Sequence, residues 1–271
     1  MAGQIAPRGL NGVLSISQYA LGMASGGLVG FSLALVGGGG SILAVPLLVY
    51  VVGLTNPHLA IGTSACAVAL NAAVNLVRHA RLGNVKWRCA LLFAAVGVLG
   101  AAVGSTLGKL VPGQRLLTLF AGLMLVVGVM MFRRRREEGD AAVSLSSRNA
   151  PRLAGAGAAA GLVSGFFGIG GGFLVVPGLV AATRMPMLAA IGSSLVAVTA
   201  FGLTTAVNYA ASGWVDWRLT ALFVAGGLVG GGWGAEVGTR LALRRGALNL
   251  LFAALLVTVA GYMLWRGLSV P

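Results

Sequence analysis

The stretch Leu35–Pro46, LVGGGGSILAVP, decides the fold because a second version of it stands at Phe166–Pro177, FFGIGGGFLVVP. Alignment on the two prolines pairs Gly37, Gly39, Gly40 and Ser41 with Gly168, Gly170, Gly171 and Gly172. Each glycine costs roughly 1 kcal/mol relative to alanine within a helix, so we expect helices to break at both runs. A new helix then starts after each break. Its first amides lack intrahelical acceptors, and within a bilayer they would form an anion site.

The composition is that of an integral membrane protein. Of the 271 residues, 58% are hydrophobic and only 9% are charged, and the mean hydropathy is +0.94. These values lie far from those of a soluble domain of this length. The 44 glycines suit helices that pack closely in lipid. The net charge of +14 is interpreted as basic cytoplasmic loops rather than as a nucleic-acid surface.

Hydropathy divides the chain into a short tail (1–16), a first transmembrane repeat (17–132), a basic cytoplasmic linker (133–152) and a second repeat (153–271). Each repeat contains five apolar segments. In the first repeat they are Ser17–Val36, Ser41–Gly53, Pro57–Arg81, Cys89–Leu110 and Gln114–Phe132. In the second they are Leu153–Phe167, Phe173–Thr183, Met187–Ser212, Trp217–Leu241 and Ala247–Arg266. The second segment of each repeat is shorter than the about 20 residues that a span needs, which favours a re-entrant hairpin.

The two repeats also share motifs at an offset of 130 residues. IGTS at 61–64 corresponds to IGSS at 191–194, and the G-x-V-x-W-R pattern at 83–88 returns at 213–218. The first of these loops carries basic residues alone, whereas Asp216 opposes Arg218 in the second, so they are predicted to face opposite sides of the membrane. The predicted fold is therefore an all-α polytopic membrane protein. Its inverted-topology repeats contain two broken or re-entrant hairpins that meet near the bilayer midplane.

The doubled glycine runs with their L-x-V-P-type continuation, the IGTS/IGSS pair, the doubled G-x-V-x-W-R pattern and the basic linker resemble the TauE/SafE family over about residues 20–265. The resemblance implies a bacterial inner-membrane, multi-pass exporter of sulfite, thiosulfate, sulfoacetate or a related anion. It does not imply which anion is carried.

Inverted symmetry predicts that both glycine runs line one cavity, where backbone N–H groups and two helix ends hold the anion. No lysine follows the glycines, so a nucleotide-binding P-loop is excluded. Hydroxyls and amides of nearby segments are the candidate side-chain donors, with bonding to their own helix as the alternative. The predicted substrate-binding residues are Gly37, Gly38, Gly39, Gly40, Ser41, Thr63, Ser64, Asn75, Gly168, Gly170, Gly171, Gly172, Ser193, Ser194 and Asn208. Asn71 is instead predicted to join helices.

Ionisable residues are scarce in the apolar segments. Glu236 is interpreted as the partner of Arg240 four residues later rather than as a proton relay. Cys66 and Cys89 are interpreted as small apolar helix residues. We expect no enzymatic activity, no cofactor and no metal ion. The expected partners are a small sulfur-containing anion and membrane lipids, not nucleic acid, and a homo-oligomer is left open. An anion channel, an importer of another small substrate or a membrane assembly protein are the alternative functions.

Overall fold

The computed structural model describes residues 14–133, 146, 149–170, 172–241 and 257–265, with the backbone alone at 36–37, 130–133 and 235–241. All regular structure in this part of the chain is helical. The helices are α1 (Ile16–Val36), α2 (Ala44–Pro46), α3 (Pro57–Arg81), α4 (Trp87–Leu110), α5 (Gly113–Arg133), α6 (Ala150–Phe167), α7 (Gly172–Thr183), α8 (Met187–Ala211) and α9 (Trp217–Leu241). Residues 257–265 are also helical.

Several helices have the lengths of membrane spans. Within the described ranges, α3, α4 and α8 are long and apolar enough to cross a membrane, while Gly38–Val51, Gly113–Val129 and Gly172–Thr183 are shorter apolar helices. This is the architecture of a polytopic membrane protein. The tail up to residue 13, most of the basic linker, and the side chains of Glu236 and Arg240 lie outside the described residues.

The first glycine run ends α1 at Val36, as predicted. Gly37–Leu43 does not form an open break but winds as a 3₁₀-helix, which leads into α2 and a π-helical turn, Leu47–Val51. The chain reverses its direction here, since the Gln18 amide at the start of α1 donates to the carbonyl of Val52 over 3.0 Å. Glycine permits this tight winding: a Cβ at Gly40 would collide with the α1 backbone at Ser32 and Leu33.

The second glycine run separates two helices. Gly168 ends α6 in the left-handed conformation (φ 66°), Gly170 has the same φ, and α7 starts at Gly172. α7 then returns along α6, since a Cβ at Gly178 would contact that of Ala156. The two runs therefore each form the tip of a hairpin, although their backbones differ.

The first helix of each hairpin packs along a long helix of the other repeat. α1 lies along α9, and α6 lies along α4. Both pairs are parallel and joined by glycines: a Cβ at Gly26 or Gly30 would fall on the carbonyl of Phe223 or Gly227, and one at Gly157 or Gly161 on that of Phe93 or Gly97. Such stripes of small residues let helix backbones touch.

Helices α3 and α8 form the centre of the molecule and run antiparallel. Gly62, early in α3, lies against Tyr209, late in α8, and Gly202 lies against Ala65 and Ala69. Asn56 caps the start of α3 by accepting from the amides of His58 and Leu59, and Pro57 occupies the first turn.

Candidate functional site

The tips of the two hairpins touch each other. A Cβ added at Gly172 would meet the backbone of Gly38, and one added at Gly38 would meet Gly172 and Val198. A Cβ on Gly170 would stand 3.2 Å from Val68 and 3.4 Å from Val198. We call Gly38, Gly170 and Gly172 with these two valines the glycine centre. Val68 and Val198 each lie near the middle of a 25-residue helix, so the centre is at mid-length of α3 and α8.

Two of the predicted hydroxyls join the glycine centre. The N–H of Gly38 donates to Ser194 Oγ over 3.4 Å, and Ser41 Oγ donates to the carbonyl of Gly38 over 2.8 Å. Both serines are fully buried. Ser194 also donates to Ile191 O within α8. Backbone amides and hydroxyls are therefore the polar groups described at this place, and in this structure the Gly38 N–H and both hydroxyls donate to acceptors within the protein.

Thr63 and Ser193 have a different role in this structure. Thr63 Oγ1 accepts from the N–H of Asp216 (3.0 Å), and its equivalent Ser193 Oγ accepts from the N–H of Lys86 (2.9 Å). Lys86 and Asp216 immediately precede α4 and α9, so each hydroxyl receives a backbone amide at the start of the other repeat's helix. With 1.5 Å per residue, the antiparallel packing separates Thr63 from Ser193 by about 20 Å. The structure does not bring these two together.

The remaining predicted residues are distributed around the centre. Ser64 donates to Ile61 O in its own helix. Gly168 lies against Ile61, Gly40 lies against α1, Gly39 is buried, and Gly37 belongs to the 3₁₀-helix. Asn75 donates to Asn71 O and lies near Gly231 of α9. Gly171 lies outside the described residues.

Asn208 belongs to a separate polar cluster between α4 and α8. Its amide nitrogen donates to Ser105 Oγ (2.7 Å) and Thr106 Oγ1 (3.1 Å), and its amide oxygen accepts from Lys109 Nζ (2.7 Å). No role was predicted for Lys109 from the sequence. The signal was available: the chain has two lysines, and this one stands in an apolar segment.

The described residues contain no group of three His, Cys, Asp or Glu side chains placed to hold a metal ion. Cys66 and Cys89 are free thiols, both buried.

Comparison with known proteins identifies the family. The sulfite exporter TauE/SafE family matches residues 22–265, nearly the whole chain. The chain belongs to the TauE/SafE family.

Relatives within this group carry general names. The chain is 51% identical over 257 residues to a probable membrane transporter protein of Xylella fastidiosa (strain Temecula1), covering 93% of this chain and 97% of the relative. It is 26% identical over 212 residues to the probable membrane transporter protein YdhB of Bacillus subtilis, covering 77% and 86%. No solved structure matches the chain significantly. This TauE/SafE protein is thus a multi-pass membrane transporter.

Proposed function

We propose that the protein exports a small sulfur-containing oxyanion across the bacterial inner membrane by alternating access, with the anion bound at the glycine centre. Sulfite, thiosulfate and organosulfonates such as sulfoacetate form the substrate class. The meeting of the two hairpin tips midway along α3 and α8 carries this proposal. If these helices cross the bilayer, the centre lies near its midplane, which is where transporters built from inverted repeats bind substrate.

The electrostatics of the centre suit an anion that must be released again. α7 begins at Gly172, so its first amides point out of the helix end, which is equivalent to roughly half a positive charge. Ser41 and Ser194 add hydroxyls beside Gly38. The described residues of the centre include no lysine or arginine that would hold a dianion tightly.

The arrangement of the helices supports inverted repeats. α3 and α8 occupy equivalent positions, 57–81 and 187–211, and they run antiparallel. The pair α1 with α9 has its counterpart in α6 with α4. A two-fold axis that relates antiparallel spans is perpendicular to them, and it therefore lies in the membrane plane. Rocking of the hairpins against α3 and α8 would then expose the centre to either side.

The membrane potential supplies a driving force for export. Moving one negative charge out of a negative-inside cell gains roughly 2.3 kcal/mol per 100 mV. No carboxylate lies among the described residues of the centre, so we propose a facilitative or weakly coupled exporter. Flux that is independent of membrane potential would contradict this mechanism.

The test is flux into proteoliposomes at fixed pH and clamped potential, with sulfite, thiosulfate, sulfoacetate and sulfate compared. Ser194→Ala removes a hydroxyl at the glycine centre, and we expect it to lower flux of the preferred anion about tenfold. Thr199→Ala is the matched control, because Thr199 donates to Leu195 O of its own helix. Equal flux in both variants would rule out the glycine centre as the binding site. If none of the sulfur-containing anions is transported, the proposed function is wrong.

A further inference from the structure

Lys109 is an ammonium group held between two helices by neutral oxygens. Its Nζ donates to Asn208 Oδ1 (2.7 Å), Asn208 O (3.2 Å) and Ser212 Oγ (2.9 Å), and it lies 6.0 Å from the centroid of the Tyr209 ring. The side chain is half-buried in the last turn of α4, against the last turn of α8 and the turn that follows it. Every proton of the ammonium is thus directed at the α4–α8 contact.

The charge of Lys109 has no carboxylate partner among the described residues. Its three oxygen partners are two amide carbonyls and a hydroxyl, none of which carries a charge. A charged group within an apolar span is costly and often marks an ion pathway, whereas a lysine near a helix end can extend to the interface. Lys109 is near the end of α4 but directs its ammonium to Asn208 on α8. The bonds from the ammonium to neutral oxygens are already charge-assisted, and an anionic oxygen adds the attraction between opposite charges. An oxyanion can therefore displace the neutral oxygens around Lys109.

Polar groups continue from Lys109 into the α4–α8 contact. Asn208 reaches Ser105 and Thr106 on α4. One turn deeper along α8, Thr205 is fully buried and its hydroxyl has no hydrogen-bond partner among the described residues. The hydroxyl of Tyr209 is likewise buried and without a partner there. Unsatisfied buried hydroxyls cost free energy, so an acceptor or water that reached Thr205 or Tyr209 would be stabilised there.

The equivalent contact in the other half, between α3 and α9, also combines a cation with buried polar groups among the described residues. Arg78 is equivalent to Asn208, and its guanidinium stands 3.9 Å from the Cβ position of Gly232. Asn75 is equivalent to Thr205 and is buried. Asn71 is buried beyond it, with no partner for its amide nitrogen or oxygen among the described residues. The two cations lie at opposite ends of the antiparallel pair α3 and α8.

We propose that Lys109, with Asn208 and Ser212, is an oxyanion-binding site at the mouth of a pathway between α4 and α8 that leads toward the glycine centre. Arg78 takes the corresponding position at the other mouth. The anion takes the place of the Asn208 and Ser212 oxygens as the acceptor of the Lys109 hydrogen bonds. Loss of these bonds loosens the contact between α4 and α8. The direction of traffic through this pathway rests on the proposed function, but binding at Lys109 can be tested without flux.

The binding test uses amine acetylation of the full chain in detergent, quantified at each lysine by mass spectrometry. Lys86 and Lys109 are the two lysines of the chain, so Lys86 is an internal control. Sulfate is compared with chloride at equal ionic strength. We expect sulfate to slow acetylation of Lys109 severalfold and to leave Lys86 unchanged. An equal change at both lysines, or no change at Lys109, overturns the proposal.

The flux test links this site to transport. Lys109→Gln should raise the half-saturating sulfite concentration about tenfold because the charge is lost, and Lys109→Arg, which keeps the charge but changes the hydrogen-bond geometry, should raise it less. Arg115→Gln removes the same charge from an exposed position near the same end of α4 and should have no effect. Equal half-saturation in Lys109→Gln and Arg115→Gln overturns the role of this site in transport while leaving export intact. If the unchanged protein moves no sulfite, the proposed function fails and the acetylation result still decides binding.

Discussion

Thr63 and Ser193 show how a single hydroxyl can connect the two halves of the chain. Each accepts the backbone N–H of the residue that precedes α9 or α4, and a close approach of glycine to a carbonyl accompanies each bond. A Cβ at Gly62 would fall on Trp214 O, and one at Gly192 on Asn84 O. The motifs IGTS and IGSS are thus explained by helix starts in the opposite repeat.

This explanation predicts a stability effect. Thr63→Val keeps the shape of the side chain but leaves the N–H of Asp216 without its acceptor. We expect the free energy of unfolding to fall by about 1 kcal/mol or more, because an unpaired amide loses both its bond and its hydration. Thr118→Val is the control, since Thr118 donates to Gln114 O in its own helix. Denaturant unfolding in detergent measures both. An equal loss in the two variants would mean that the bond between the repeats contributes nothing.

Among the elements, the glycine-lined pairs α1 with α9 and α4 with α6 hold the hairpins in place. A Cβ at Gly161 would fall on the carbonyl of Gly97, and one at Gly165 on that of Ala101. The carbonyl belongs to a helix backbone, which cannot rotate away as a flexible side chain can. Close packing of this kind depends on the absence of a side chain at these positions.

Gly161→Ala should therefore destabilise the protein by about 1–3 kcal/mol, the usual cost of overpacking. Gly155→Ala, in the same helix, should be neutral or stabilising by up to about 1 kcal/mol, because its Cβ would meet nothing within 4 Å. Thermal unfolding in detergent, monitored as the fraction of protein that stays monodisperse, shows whether each variant is more or less stable than the unchanged protein. A neutral Gly161→Ala would contradict the tight α4–α6 contact.

The bounds of whole helices were predicted from the sequence more accurately than the contacts of single residues. The bounds of α3 and α9 agree with the predicted segments, because proline, glycine and the switch from apolar to polar residues mark the ends of helices. The winding of Gly37–Leu43 could not be predicted, since glycine permits both a break and a 3₁₀-helix. Nor does an offset of 130 residues reveal that α3 and α8 run antiparallel, which places Thr63 and Ser193 far apart.

For the whole molecule, the halves are interlocked rather than side by side. Each half's first helix packs on the fourth apolar segment of the other half, and the central contact joins equivalent helices. Neither half buries its glycine stripe without the other. The basic residues Arg78, Arg81, Lys86 and Arg88 stand near the end of α3 and the start of α4, whereas the equivalent turn between α8 and α9 has Asp216 and Arg218.

The proposed inverted orientation predicts opposite accessibility of these two turns. In a background with Cys66→Ala and Cys89→Ala, single cysteines at exposed positions are introduced as Leu82→Cys and Ala211→Cys. A membrane-impermeant thiol reagent added to intact spheroplasts should label the cysteine at 211 and should label the one at 82 only after permeabilisation, because basic loops stay in the cytoplasm. Both substitutions lie outside the glycine centre and the Lys109 cluster, so retained sulfite flux checks that each variant is folded. Labelling of both cysteines from the same side would contradict the inverted repeat. It would also mean that Arg78 and Lys109 do not face opposite compartments, because their placement depends on α3 and α8 crossing the bilayer in opposite directions.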